Sequence, residues 1–107
     1  MKTVDDALIS RAVEMLRESA RPRKIILFGS HATGKARRES DVDLLVIEDE
    51  VTDVLGEMVR LRRVLSPLRI PVDVLIVSLQ HFKEWCDTPG NVFYEAAAEG
   101  KVLYEAS

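Results

Sequence analysis

Asp41 and Asp43 flank one valine in the run ESDVDLLVIED, and the stretch before them, FGSHATGKARR, supplies a Gly-Ser pair followed by a basic cluster. In an extended strand, side chains two apart project from one face, which sets these carboxylates side by side with Cα atoms roughly 6.5 to 7 Å apart. Two anions so placed repel one another unless one is protonated or a cation sits between them. Oxygen ligands suit a hard divalent ion such as Mg²⁺. By itself an Asp-x-Asp is more often a solvated strand start, so its chemical meaning comes from its surroundings.

Those surroundings begin at Gly29 and Ser30, which follow the apolar run KIILF and precede the Asp pair by ten intervening residues. A residue without a side chain at position 29 lets a phosphate approach the backbone, Ser30 offers a hydroxyl, and the opening N–H groups of a helix offer further donors. Lys35, Arg37 and Arg38 lie between turn and Asp pair. They are candidates to neutralise the β- and γ-phosphates, with a solvated loop as the alternative. His31 falls near such a site through position alone, with no neighbours that would make it a nucleophile or base. Asp73 supplies a third carboxylate inside the otherwise apolar strand PVDVLIVS. A carboxylate there needs a partner, which is either a metal ion or a basic side chain such as an Arg. Turn, pair and isolated Asp together describe a triphosphate site with three acids around metal.

The elements that must position these residues follow from periodicity. Val4, Leu8, Ala12 and Met15 or Leu16 recur at helical spacing, which predicts a helix from about 4 to 20, with Thr3 and Asp6 as a capping box and Pro22 beyond its end. KIILF (24–28) is a short strand ended by Gly29, and DVDLLVIED is a strand whose later part is buried on both faces. A second long helix is predicted over about 53 to 66, capped by Thr52 and stopped by Pro67. PVDVLIVS is the third strand. Ser78 caps a short helix through about 85, Thr88-Pro89 opens another that Gly100 ends, and KVLYE is a final strand. Strands alternate with helices and no linker or repeat interrupts them, so residues 1–107 are expected to form one α/β domain.

Composition narrows the function classes. A formal charge of −3 gives no general reason to bind nucleic acid, yet twelve of the fifteen Lys and Arg lie between Arg11 and Arg69, leaving local positive potential for a small anion. The single Cys86 cannot form an intrachain disulfide, in keeping with the reducing cytoplasm, and is expected to act as a small hydrophobe. The N-terminus MKTVDDALIS lacks a signal-peptide pattern, and no run reaches the ~18 apolar residues of a membrane span. Arg60, Arg62, Arg63 and Arg69 cluster around the second long helix and are expected to keep its outer face wet, with a partner surface as the alternative. Phe82, Trp85, Phe93 and Tyr94 are expected in the core or at an interface, His81 on a helix surface, and Tyr104 in packing or as a self-modification target.

LFGSHATGKARRESDVDLLV resembles the signature of the polymerase-β-like nucleotidyltransferase superfamily: an apolar residue, Gly-Ser, a spacer near ten, Asp-apolar-Asp-apolar, and a third acid on a later strand. FGSHATG with ESDVDLLV is similar to the MNT-type minimal nucleotidyltransferases, the antitoxin halves of MNT/HEPN toxin–antitoxin pairs, and the likeness extends to the terminal EAAAEGKVLYE. Thr33 departs from the Arg that many relatives carry before the glycine. The resemblance implies a mixed sheet of about four strands with helices packed mainly on one face and the acids at an open edge. It implies that Gly29 and Ser30 contact the phosphates of ATP, that Asp41 and Asp43 hold Mg²⁺ on the triphosphate, and that Asp73 completes a second Mg²⁺ site and helps deprotonate the acceptor. The activity implied is AMP transfer to a tyrosine of a HEPN toxin, with the acceptor brought by the partner because the chain ends one strand past the core. Neutralisation of the toxin by occlusion alone is the alternative, and transfer to a small molecule or RNA is disfavoured by the lack of an acceptor domain and by net acidity.

Overall fold

The computed structural model describes residues 4–37 and 40–106. Helix α1 (Asp6–Ser19) buries Ala12, Val13 and Leu16 along one stripe and ends at Ala20, just before the Arg21-Pro22 pair. Its cap is Asp5, whose carboxylate accepts from the Leu8 N–H at 2.9 Å. The expected cap, Thr3, lies outside the described residues.

Strand β1 (Lys24–Phe28) runs into a one-turn helix α2 (Ser30–Thr33), and β2 (Val42–Glu48) returns antiparallel to β1 with Phe28 opposite Asp43. Helix α3 (Val54–Leu65) crosses over to β3 (Val72–Ser78), which pairs parallel to β2. Asp53 caps α3 through the Gly56 N–H, in place of the expected Thr52. Ser78 caps α4 (Leu79–Trp85) as expected, and α5 (Val92–Glu99) leads to β4 (Lys101–Glu105), antiparallel to the other edge of β1. Thr88 and Pro89 do not open α5. They lie in a turn with Gly90 at φ 97°, and Asn91 caps the helix by accepting from the N–H groups of Phe93 and Tyr94.

The sheet order is β3-β2-β1-β4. Ile25, Leu27, Leu44, Val46, Val74 and Ile76 face α1 and α3, packing on Leu16, Leu61 and Leu65. The alternate residues Ile26, Phe28, Leu45, Ile47 and Val77 face α4 and α5, packing on Phe82 and Ala96. The two longest helices therefore share one face, but the second face is also covered, by α4 and α5. Covering both faces explains why β1 and β2 read as unbroken apolar runs and not as alternating ones. By the same parity Asp43 and Asp73 project on the α4/α5 side, with Leu45, Ile47, Leu75 and Val77.

Candidate active site

The site begins where β1 stops. Gly29 adopts φ 73° and ψ −155°, a conformation that side-chain-bearing residues rarely adopt, and this bend turns the chain into α2. A Cβ at this position would overlap the carboxylate of Asp43. The glycine thus serves two needs at once, a backbone bend and room for the acid on the next strand. The Gly29 carbonyl accepts from the N–H groups of Ala32 and Thr33 at 3.0 and 3.2 Å, and from the Thr33 hydroxyl at 3.4 Å. Thr33 is thereby a local fastener of the turn.

The loop leading to β2 folds back on α2. The Arg37 N–H donates to the Ser40 hydroxyl at 2.8 Å, the Ser40 N–H donates to the Arg37 carbonyl at 3.0 Å, and His31 Nε2 contacts the Ser40 carbonyl at 3.1 Å. His31 therefore pins the loop that delivers the Asp pair, a role that sequence position does not reveal. Lys35 and Arg37 are exposed on this loop. Arg38 lies outside the described residues.

The Val42 N–H donates to the Pro71 carbonyl at 2.8 Å, locking the starts of β2 and β3 together, and the parallel register then sets Asp43 directly beside Asp73. Asp41 precedes Asp43 by two residues at the mouth of β2. The structure thus brings Asp43 and Asp73 to one face of the sheet, next to Gly29. Burial pushes the Asp43 carboxyl above its ordinary range; the charges of Asp73, Asp41 and Glu95 add to the shift, and His31 opposes it. Glu95, in the first turn of α5, is a further acid near the cluster that sequence reasoning missed. Nothing in a single sequence indicates that α5 returns over this end of the sheet.

Asp73 has a partner. The Arg62 guanidinium, from α3 on the opposite face, reaches past the outer edge of β3 to bond the Asp73 carboxylate and lies 3.4 Å from the Val74 carbonyl. The sequence suggested for Arg62 a place on the wet outer face of α3 or on a partner surface, not a bond to Asp73. Its neighbour Arg60 is also engaged, with the Glu57 carboxylate and the Ser19 carbonyl. Elsewhere Cys86 is half-buried against the α4/α5 core, and the Arg17 guanidinium lies 4.3 Å from the centre of the Tyr104 ring, so Tyr104 packs.

Among the described residues no three carboxylate, imidazole or thiol side chains are drawn together tightly enough to enclose a metal ion. The donor set nonetheless fits a hard divalent cation: Asp43 and Asp73 side by side with Asp41 at the mouth of the strand supply oxygens of one charge, and burial, then the charges of Asp73 and Asp41, push the Asp43 carboxyl upward. No helix among the described residues is long and apolar enough to cross a membrane.

A sheet that presents two acids side by side next to a Gly-Ser turn defines a nucleotidyltransferase-like architecture. The family described as polymerase beta, nucleotidyltransferase matches residues 11–107, and the chain belongs to it. It is 28% identical over 102 residues to a Methanocaldococcus jannaschii protein named as a protein adenylyltransferase, spanning 94% of this chain and 98% of that one. Its fold is similar to the crystal structure of a toxin–antitoxin with AMP-PNP, with a TM-score of 0.66 and 21% identity over 96% of this chain and 75% of that chain. A tri-AMPylated Shewanella oneidensis HEPN toxin in complex with an MNT antitoxin gives a TM-score of 0.60 and 20% identity, covering 94% of this chain and 71% of that chain.

Proposed function

We propose that this chain transfers AMP from ATP to a tyrosine hydroxyl of a HEPN-type toxin in the cytoplasm, and so acts as its antitoxin. The observation that carries the proposal is the register pairing of Asp43 with Asp73 against the Gly29 turn, which gathers acids distant in sequence where a triphosphate can meet the backbone. The name of the archaeal relative and the AMPylated toxin in the Shewanella complex support the acceptor class.

In this reading Gly29 and Ser30 bind phosphate oxygens, with Lys35 and Arg37 balancing the charge of the leaving pyrophosphate. Asp41, Asp43 and Asp73 would hold two Mg²⁺ ions, which when bound neutralise the triphosphate and stabilise the attacking and departing oxygens of an in-line displacement. In this reading the Asp73 carboxylate, once free of Arg62, draws the proton from the acceptor hydroxyl. The tyrosine oxygen forms a bond to the α-phosphorus as the bond to pyrophosphate breaks. Incubating the chain with its partner, ATP and Mg²⁺ should add the mass of one AMP residue per transfer; an unchanged partner mass with correctly folded protein refutes the proposal.

A second reading is neutralisation by occlusion without chemistry, favoured by the engagement of Asp73 with Arg62 and by exposed apolar side chains at Leu55, Val59 and Trp85. The double substitution Asp41→Asn with Asp43→Asn separates the two. Occlusion survives it, whereas AMP transfer does not.

A further inference from the structure

Arg62 is exposed and follows the buried Leu61 on α3, the helix that covers the face of the sheet opposite Asp73. To meet Asp73 its side chain must pass round the outer edge of β3, the strand at the end of the sheet. The planar guanidinium makes this possible, since it presents several donors at once and reaches both the Asp73 carboxylate and the Val74 carbonyl. The resulting pair is not sheltered. The side chains of Arg62 and Asp73 remain 44% and 46% exposed, so water competes for both partners and the pair adds little to the stability of the fold. This differs from Arg60, which is tied to two elements through Glu57 and the Ser19 carbonyl.

We infer that Arg62 is a displaceable counter-cation: it holds Asp73 while the site lacks metal, and it must release that carboxylate before a divalent ion can be shared between Asp73 and Asp43. The inference rests on the nucleotidyltransferase reading above and adds to it a step by which metal occupancy of the acid cluster is limited. Guanidinium and metal compete for the one Asp73 carboxylate, whose Oδ1 the guanidinium holds. Weakening the guanidinium should therefore strengthen metal binding, whereas an Arg62 that merely positions the acid would, on weakening, lower it.

The test is Mn²⁺ binding to the full chain in the presence of α,β-methylene ATP, read from the free-Mn²⁺ electron paramagnetic resonance signal. R62Q should bind Mn²⁺ about 2- to 5-fold more tightly than the parent, the range set by an exposed ion pair. R62K, which keeps the charge but not the planar fork, should gain less than R62Q, and the gain should vanish in the D73N background. Equal or weaker binding by R62Q overturns the inference while leaving the nucleotidyltransferase reading intact. A parent chain that binds no Mn²⁺ beside the nucleotide overturns both. The arginine Nε–Hε resonances of the parent chain give a measurement that needs no substitution: adding Mg²⁺ and the analogue should shift the Arg62 signal, and an unmoved signal with nucleotide bound contradicts displacement.

Discussion

The Cα of Gly29 lies against the carboxylate of Asp43, so closely that a methyl group on residue 29 would overlap it. Glycine is thus favoured by its φ of 73°, and any larger residue would push the Asp43 carboxylate aside. Gly29→Ala is expected to destabilise the fold by about 1 to 3 kcal/mol and to displace Asp43. Thermal unfolding temperature and the rate of AMP transfer should both fall. A variant with unchanged unfolding temperature and unchanged rate contradicts the steric reading.

Asp43→Asn should separate stability from activity. Burial and the surrounding acids push the Asp43 carboxyl upward, so the folded site disfavours its charge, and the neutral isostere should unfold at the same temperature as the parent or higher in metal-free buffer. AMP transfer should fall by at least about 100-fold through loss of a proposed metal ligand. A strongly destabilised variant would show that Asp43 holds the fold together instead.

Glu48, at the end of β2, makes the stability pH-dependent at a place remote from the acid cluster. One of its oxygens is buried with no hydrogen-bond donor among the described residues, and it faces Glu57, so a bond between them requires a proton. Burial, then contact with Glu57, pushes Glu48 up to about 7, whereas Glu57 is held low by Arg60. A folded pKa above the ordinary 4.5 favours the protonated folded state, so this contribution is fully present below pH 4.5 and is lost as pH rises through 7. Glu57 has the opposite sign and contributes above its ordinary pKa, fading as pH falls below it. Glu48→Gln should therefore raise the unfolding temperature relative to the parent at pH 8 and leave it nearly equal at pH 5. The same difference at both pH values contradicts the shift.

Arg60→Ala should cost about 1 kcal/mol of stability, through loss of the Glu57 pair and the bond to the Ser19 carbonyl, and leave AMP transfer within about 2-fold. A selective loss of transfer would place this side of α3 in the chemistry.

Much of this architecture is written locally in the chain. β1 and β4 have the bounds that KIILF and KVLYE suggest, because apolar β-rich runs bounded by Gly29 and Gly100 leave little choice. The caps are less legible: Asp5, Asp53 and Asn91 cap the helices, each near another polar residue able to do so, and the entry direction of the chain decides between them. The Asp pair and the Gly-Ser turn are visible as a motif. Their meeting with Asp73 depends on β3 pairing parallel to β2, which spacing alone does not specify. Arg62 and Glu95 are not legible as neighbours of the site, since each arrives from a helix whose placement over the sheet is a tertiary outcome.

Whether three acids gather around magnesium on a bound triphosphate is tested most directly by crystals grown with Mn²⁺ and α,β-methylene ATP, read by anomalous scattering. Two peaks about 3.5 to 4 Å apart are expected, one between Asp41 and Asp43 on the phosphates and one shared with Asp73, with Arg62 released. Nucleotide bound at the Gly29 turn with no manganese beside Asp43 and Asp73, and with Arg62 still holding Asp73, would contradict it.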